Sequence, residues 1–278
     1  MLSPADPQPL KAEVSRSRRG PWFMFRGPEG FEWTQIRTPV PHLPPELEGF
    51  RFVHLSDLHM RSYWSRGYDE LIQRLEQSPP DLLLITGDFI NDLHDHRPGL
   101  RTLKRLIPKL KSRLGTHAIL GNHDVDLIVP DLQEMGVTML DGRRAVLESG
   151  GGAKVELIGL GGIARDELDV RFIASQPPKS PGTLRIVLSH FPDHFRRIRP
   201  LNADFFLAGH THGGQICLPA GWPLITHDRM PRCHSKGVFR FDDTWYIVSR
   251  GLGFAGVPVR INCPAEVAEI TTVRACLT

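Results

Sequence analysis

The chain has 278 residues, and its apolar share of 40% and charged share of 23% suit one large globular domain rather than a disordered polymer. Its 34 basic and 31 acidic side chains leave a formal charge of only +3, spread along the sequence, which excludes the dense basic stripe of a nucleic-acid reader. The longest compact apolar run, Leu82 to Ile85, is far too short to cross a bilayer.

Nine of the 24 prolines fall in the first 45 residues, together with Gly20, Gly27 and Gly30. That composition opposes a helix or a central strand, so residues 1–46 are expected to form a Pro-rich N-terminal arm ahead of a domain over 47–278. The Arg18-Arg19 pair is not read as an export signal, because Arg26, Glu29 and Glu32 follow where an apolar stretch should stand. The arm is expected to be solvated or packed on the domain. Contact with a membrane surface through Arg16, Arg18, Arg19 and Trp22 is its rarer use. Four cysteines at 217, 233, 263 and 276, without metal-type spacing, are expected to be reduced and buried, and the chain to be cytoplasmic.

From residue 50 the pattern changes. Phe50 to Leu55 is an apolar run, Tyr68 to Gln77 is helix-like, Leu82 to Thr86 is apolar again, a helical stripe runs through Leu100, Leu103, Leu106 and Leu110, and Ala118 to Leu120 closes the series. Strands alternating with helices predict βαβ units. Beyond residue 137 the chain is strand-rich: Val155 to Leu160, Leu184 to Ser189, Asp204 to Leu207, Val238 to Phe241, Trp245 to Val248 and Val267 to Val273. A second sheet is expected from these, packed face to face on the first.

Short polar groups end five of the apolar runs, where α/β proteins place ligands. They are Asp57-Leu58-His59, Gly87-Asp88, Gly121-Asn122-His123-Asp124, Ser189-His190 and Gly209-His210-Thr211-His212-Gly213-Gly214-Gln215. Two of their aspartates, Asp57 and Asp88, with the asparagine and the four histidines other than His123, make seven donors, all hard or borderline and none of them sulfur. That set suits Mn, Fe or Zn, and it suits two divalent ions sharing one carboxylate better than a single ion. Such ions would lower the pKa of a water between them toward about 7 and so make the hydroxide nucleophile. Any one histidine after a strand is more often structural than a ligand. That bland reading is kept for His42, His54, His94, His96, His117, His194, His227 and His234. Tyr63-Trp64, Trp222 and Pro223 are read as packing beneath loops rather than as an apolar lip to the site.

Together, Asp57-x-His59, Gly87-Asp88, Gly121-Asn122-His123-Asp124, His190 and Gly209-His210-x-His212 resemble the signature of the calcineurin-like metallophosphoesterases, over about residues 48 to 275. The resemblance implies an α/β four-layer αββα sandwich with two mixed sheets and a dinuclear site at the strand C-terminal ends. Asp57, His59 and His212 would hold one metal and Asn122, His190 and His210 the other, with Asp88 bridging. His123 would approach the phosphate, to protonate the leaving oxygen or stabilise transition-state charge, and Asp124 would orient its ring.

Protein Ser/Thr phosphatases of this type carry Gly-Asp-x-Val-Asp-Arg-Gly and Gly-Asn-His-Glu. Here Gly87-Asp88 continues Phe89-Ile90-Asn91-Asp92 and the third motif ends in Asp124, which disfavours a phosphoprotein substrate. Gly209 to Gln215, Ser249-Arg250-Gly251-Leu252-Gly253 and Arg260-Ile261-Asn262-Cys263-Pro264 are similar to a bacterial phosphodiesterase subgroup. That subgroup includes UDP-2,3-diacylglucosamine pyrophosphatases, although Gly161-Gly162 stands where acidic residues are expected. The resulting expectation is a hydrolase that cleaves a phosphodiester or pyrophosphate bond by in-line attack of metal-bound hydroxide. A nucleotide-linked lipid precursor is one substrate option. The alternatives are a phosphomonoesterase and a non-catalytic metal-binding scaffold.

Overall fold

A computed structural model describes residues 10–17, 19–161, 166–226 and 228–275, with the side chains of 166–168 excepted. Arg18, Gly162, His227 and Cys276 lie outside the described residues. In chain order the strands and helices are β1 (Glu13–Arg16), β2 (Phe23–Phe25), β3 (Glu32–Val40), β4 (Arg51–Leu55), α1 (Arg66–Gln77), β5 (Leu82–Thr86), α2 (Arg97–Leu106), β6 (Thr116–Ile119), α3 (Val129–Glu134) and β7 (Val137–Met139). There follow β8 (Arg143–Glu148), β9 (Lys154–Gly159), α4 (Asp166–Ser175), β10 (Thr183–Leu188), β11 (Phe205–Ala208), β12 (Gly237–Phe241), β13 (Thr244–Val248), β14 (Val259–Ile261) and β15 (Glu266–Arg274).

The first sheet has the order β1-β3-β15-β4-β5-β6-β7 and the second β12-β13-β11-β10-β9-β8, while β14 and β2 make a separate ribbon. Strands β4 to β7 run parallel, as do β9, β10, β11 and β13, so their C-terminal ends collect at the same edge.

Alternation within each apolar run builds the layers. Phe52, Leu82 and Leu84 meet Leu157, Ile186 and Leu207 between the sheets. Their neighbours Val53, Leu83 and Ile85 turn the other way, onto Leu71 and Leu75 of α1 and Leu103 and Leu106 of α2. Ile158, Val187 and Phe206 likewise face outward, onto Ile173 of α4 and Ile198. Both faces of each central strand are buried, which is why the runs are continuously apolar rather than alternating. The helices are cut to match: in α1, Tyr68, Leu71, Ile72 and Leu75 form one buried stripe, and Ser65 caps its start by accepting a 3.1 Å hydrogen bond from the Gly67 amide.

Two expectations are corrected. The N-terminal segment is not a strandless arm, because β3 lies inside the first sheet between β1 and β15. Its internal proline is tolerated because β1 pairs only with Thr34 to Arg37, so Pro39 lies where one side of β3 is a free edge. The strand at 267–273 does not join the second sheet. It forms β15, parallel to β3 and antiparallel to β4. An apolar run states that a strand is buried, not which sheet receives it.

Candidate metal centre

At the ends of three of the apolar runs, β4, β5 and β11, the backbone turns through the left-handed region at residues other than glycine. Asp57 (φ 51°), His59 (41°), Asp88 (56°), His210 (67°) and His212 (51°) all do so. Non-glycine residues rarely adopt this conformation, and it persists only where surrounding bonds enforce it. Here they do: the amides of Asp57 and His59 donate to the carbonyls of Gly87 and Asp88 at 3.0 and 2.9 Å, and Gly253 donates to the Asp57 carbonyl at 2.6 Å. At Gly121 and Gly209 the loops cross so closely that a Cβ would overlap the Asp88 carboxylate at the first, and Ser56 Oγ and Asp57 Oδ2 at the second.

These turns aim the side chains at one place. Asp57, His59, Asp88 and His212, all buried, bring one donor atom each within 4.8 Å of one another. The Nε2 atoms of His59 and His212 approach to 3.0 Å, and His212 Nε2 lies 3.3 Å from Asp57 Oδ1. A second set adjoins it. His190 Nε2 is 2.9 Å from Asn122 Oδ1, and the rings of His190 and His210 are 5.1 Å apart. Asp88 joins the two sets, since its Oδ2 stands 3.3 Å from His59 Nε2 and 3.4 Å from His190 Nε2. Its other oxygen, Oδ1, accepts from the His123 amide at 2.8 Å, and the His123 ring lies 4.9 Å from that of His59.

Burial works against ionisation of Asp88, but His190 and His59 outweigh it and hold the carboxyl well below its ordinary range. Asp57 goes the other way, pushed up by burial and by Asp88. Burial also lowers His190, yet Asp88 more than compensates and raises it to about 9. His212 is driven well below 6.5 by burial, then by His59 and by Arg260. Burial lowers His123, with Asp88 opposing. Nitrogen and oxygen donors, hard or borderline and converging on two adjoining points, fit divalent metal ions.

Behind the cluster, His190 Nδ1 lies 2.8 Å from the Thr86 carbonyl, a contact that fixes the ring and frees Nε2. Thr86 Oγ1 donates to Ser56 Oγ and lies 2.8 Å from His54 Nε2, so His54 is a buried structural histidine, as expected. Asp124 departs from its expected part. Its carboxylate accepts from the amides of Gly121, Phe89 and Ile90 at 2.8, 2.8 and 3.2 Å and so ties the β5 and β6 loops together, while the His123 ring bonds the Asn91 backbone instead.

A family model for the calcineurin-like phosphoesterases matches residues 50–214. The chain belongs to this family. It is 29% identical to the phosphodiesterase YaeI of Escherichia coli over 277 residues, covering 96% of this chain and 97% of that one. It is also 29% identical to the metallophosphoesterase YkuE of Bacillus subtilis, covering 88% and 86%. The UDP-2,3-diacylglucosamine pyrophosphatase LpxG of Chlamydia trachomatis is 24% identical, with 88% and 90% covered. The chain is therefore a metallophosphoesterase hydrolase on a four-layer αββα frame.

Two arginines beside this phosphoesterase site stand in the subgroup-like segments of the sequence, which give them no role. Arg260 is fully buried in β14; its Nη2 lies 3.3 Å from His212 Nδ1 and donates to the carbonyls of Arg250 and Gly253 at 2.7 and 2.6 Å. Arg250 in turn donates to Glu266 and Glu32 at 2.9 and 2.6 Å, pinning the loop after β13 to β15 and β3. An arginine inside the short run Val259-Arg260-Ile261 was the available signal. Cys217 and Cys263 are free, buried thiols, as expected, but Cys233 is exposed. Trp222, expected beneath a loop, is 52% exposed, whereas Trp64 is half-buried against the Arg105 guanidinium. Among the described residues no helix is long and apolar enough to cross a membrane.

Proposed function

We propose that this metallophosphoesterase hydrolyses a phosphodiester or pyrophosphate bond with two divalent ions, Mn, Fe or Zn. Asp57, His59 and His212 would hold one ion, Asn122, His190 and His210 the other, and Asp88 would bridge them. The observation that supports this most is the position of Asp88 Oδ2, equally close to a histidine of each set. When bound, the ions supply Lewis acidity, drawing charge from the phosphoryl oxygens and easing deprotonation of the attacking water.

The protein's own groups do the rest. Left-handed backbone at Asp57, His59, Asp88, His210 and His212 holds five of the seven donors in place before substrate arrives, so binding costs little reorganisation. As the attacking oxygen bonds to phosphorus and the leaving oxygen departs, His123 gives that oxygen its proton, its position fixed through the 2.8 Å bond from its amide to Asp88. Asp124 is a positioning residue that keeps the His123 loop against the Asp88 loop.

The likeness to YaeI favours a diester and that to LpxG a pyrophosphate, of which a nucleotide-linked lipid precursor is one case. The same reading sets the enzyme in the cytoplasm, where the free Cys217 and Cys263 thiols would stay reduced. The test is hydrolysis of bis(p-nitrophenyl) phosphate against p-nitrophenyl phosphate, with Mn restored after chelation. Turnover of the diester should fall at least about hundredfold in Asp88→Asn and in His210→Ala. Unchanged turnover in both would refute the reading, and faster monoester hydrolysis would reassign the substrate class.

A further inference from the structure

β2 and β14 pair antiparallel, with Phe23 opposite Ile261, Met24 opposite Arg260 and Phe25 opposite Val259. Side chains alternate across such a ribbon. Met24 and Arg260 turn inward and are buried, while Phe23 and Phe25 are 45% and 53% exposed. Trp22, 71% exposed, packs its ring 5.7 Å from that of Phe23. The loop that follows the metal-site motif continues this outer face: Ile216 bridges Ile261, Asn262 Nδ2 donates to the Cys217 carbonyl at 3.1 Å, and the Leu218 amide donates to Trp222 at 2.9 Å. Beyond that turn, Leu224 and Ile225 are also exposed. Eight of the thirteen exposed large apolar side chains among the described residues fall on this ribbon, the adjacent Val257 and this loop. The ribbon's inner face touches the metal cluster, through Arg260 and His212.

A monomer seldom leaves apolar surface gathered in this way without a partner. The charge beside it indicates which. Arg19 and Arg26 are exposed on either side of the Trp22 to Phe25 stretch, and neither forms an ion pair among the described residues. Arg26 lies 5.1 Å from the Phe25 ring centroid, and the carboxylate nearest it in sequence, Glu29, accepts a hydrogen bond from Ser65. A two-fold dimer on this face would bring a second set of the same arginines to the patch. An anionic lipid surface meets both properties, with tryptophan and phenylalanine entering the headgroup layer and arginines meeting phosphates.

We propose that this face, the outer side of the β2–β14 ribbon with the 218–225 loop, docks on a membrane surface bearing anionic headgroups, and so places the metal cluster beside the bilayer. The test is co-sedimentation of the full chain with phosphatidylcholine vesicles, with and without phosphatidylglycerol. The chain should bind the anionic vesicles, and less so as salt is raised. Trp22→Ser combined with Phe25→Ser should lower partitioning at least about tenfold. Arg19→Gln and Arg26→Gln should each lower it about fivefold, on anionic vesicles alone. A chain that stays in the supernatant overturns the proposal. So do variants that bind like wild type, or a dimer in sedimentation equilibrium that the Trp22 and Phe25 changes dissolve. Binding is read without turnover, so a failure of the hydrolase reading is a separate result, and these variants should hydrolyse a soluble diester at the wild-type rate.

Discussion

Arg260 and His212 form a buried pair, 3.3 Å from Nη2 to Nδ1, in which a guanidinium that also serves the carbonyls of Arg250, Gly251 and Gly253 stands against the imidazole. Its charge adds to burial and to His59 in keeping His212 neutral, the form a metal ligand requires. Arg260→Met keeps much of the volume but leaves those carbonyls without a donor. Urea unfolding should show a loss of about 2–4 kcal/mol, and Arg260→Lys should recover part of it. Equal stability in Arg260→Met would mean that the carbonyls find other donors.

The raised His190 sets a pH dependence for metal loading. A group held at about 9 is protonated at neutral pH in the metal-free protein and must lose that proton to act as a ligand. Apparent affinity at this half of the site should therefore rise about tenfold per pH unit below about 9 and level off above it. Titration calorimetry near pH 7 in buffers of different ionisation enthalpy should report release of about one proton, absent in His190→Ala.

Gly209→Ala tests how closely the loops must pass. The added methyl overlaps Ser56 Oγ and Asp57 Oδ2, so either the β11 loop or the Asp57 turn must shift. A misplacement of this kind should lower metal-dependent turnover about hundredfold or more and cost about 1–3 kcal/mol in stability, with the sheet signal in circular dichroism retained.

Acid should weaken the metal-free protein in two windows. Burial holds His54 at about 4 instead of 6.5, so its contribution is complete above 6.5 and is lost as pH falls toward 4. Glu266 is held at about 2, burial notwithstanding, by Arg250 and Thr34, so its share is complete above 4.5 and is lost as pH falls through 2. The His54 depression corresponds to about 3 kcal/mol. Chemical denaturation of His54→Gln with a chelator present should therefore show a flatter pH dependence between 6.5 and 4, with the lower window unchanged.

Sequence reading reached the strand-end loops because each joins an apolar run to a short polar group, and local chemistry alone fixes that junction. It failed where the answer depended on pairing. β3 and β15 are buried strands like any other, and their adjacency follows from register across 232 to 236 residues, as in the bonds from Thr34 to Glu266 and from Trp33 to Glu269. The same distance hid the role of Arg260, whose partners His212 and Gly253 come from two other loops. The part that the resemblance implies for Asp124, orienting the His123 ring, is replaced by a local one, since its oxygens accept from three backbone amides.

Metal content measured after loading with Mn or Zn and exhaustive desalting tests the two-ion claim most directly. Wild type should hold about two ions per chain, and Asp88→Asn, which weakens the donor shared by both sets, should hold markedly fewer. One ion per chain at saturation, or the same content in both proteins, would contradict a dinuclear centre bridged by Asp88.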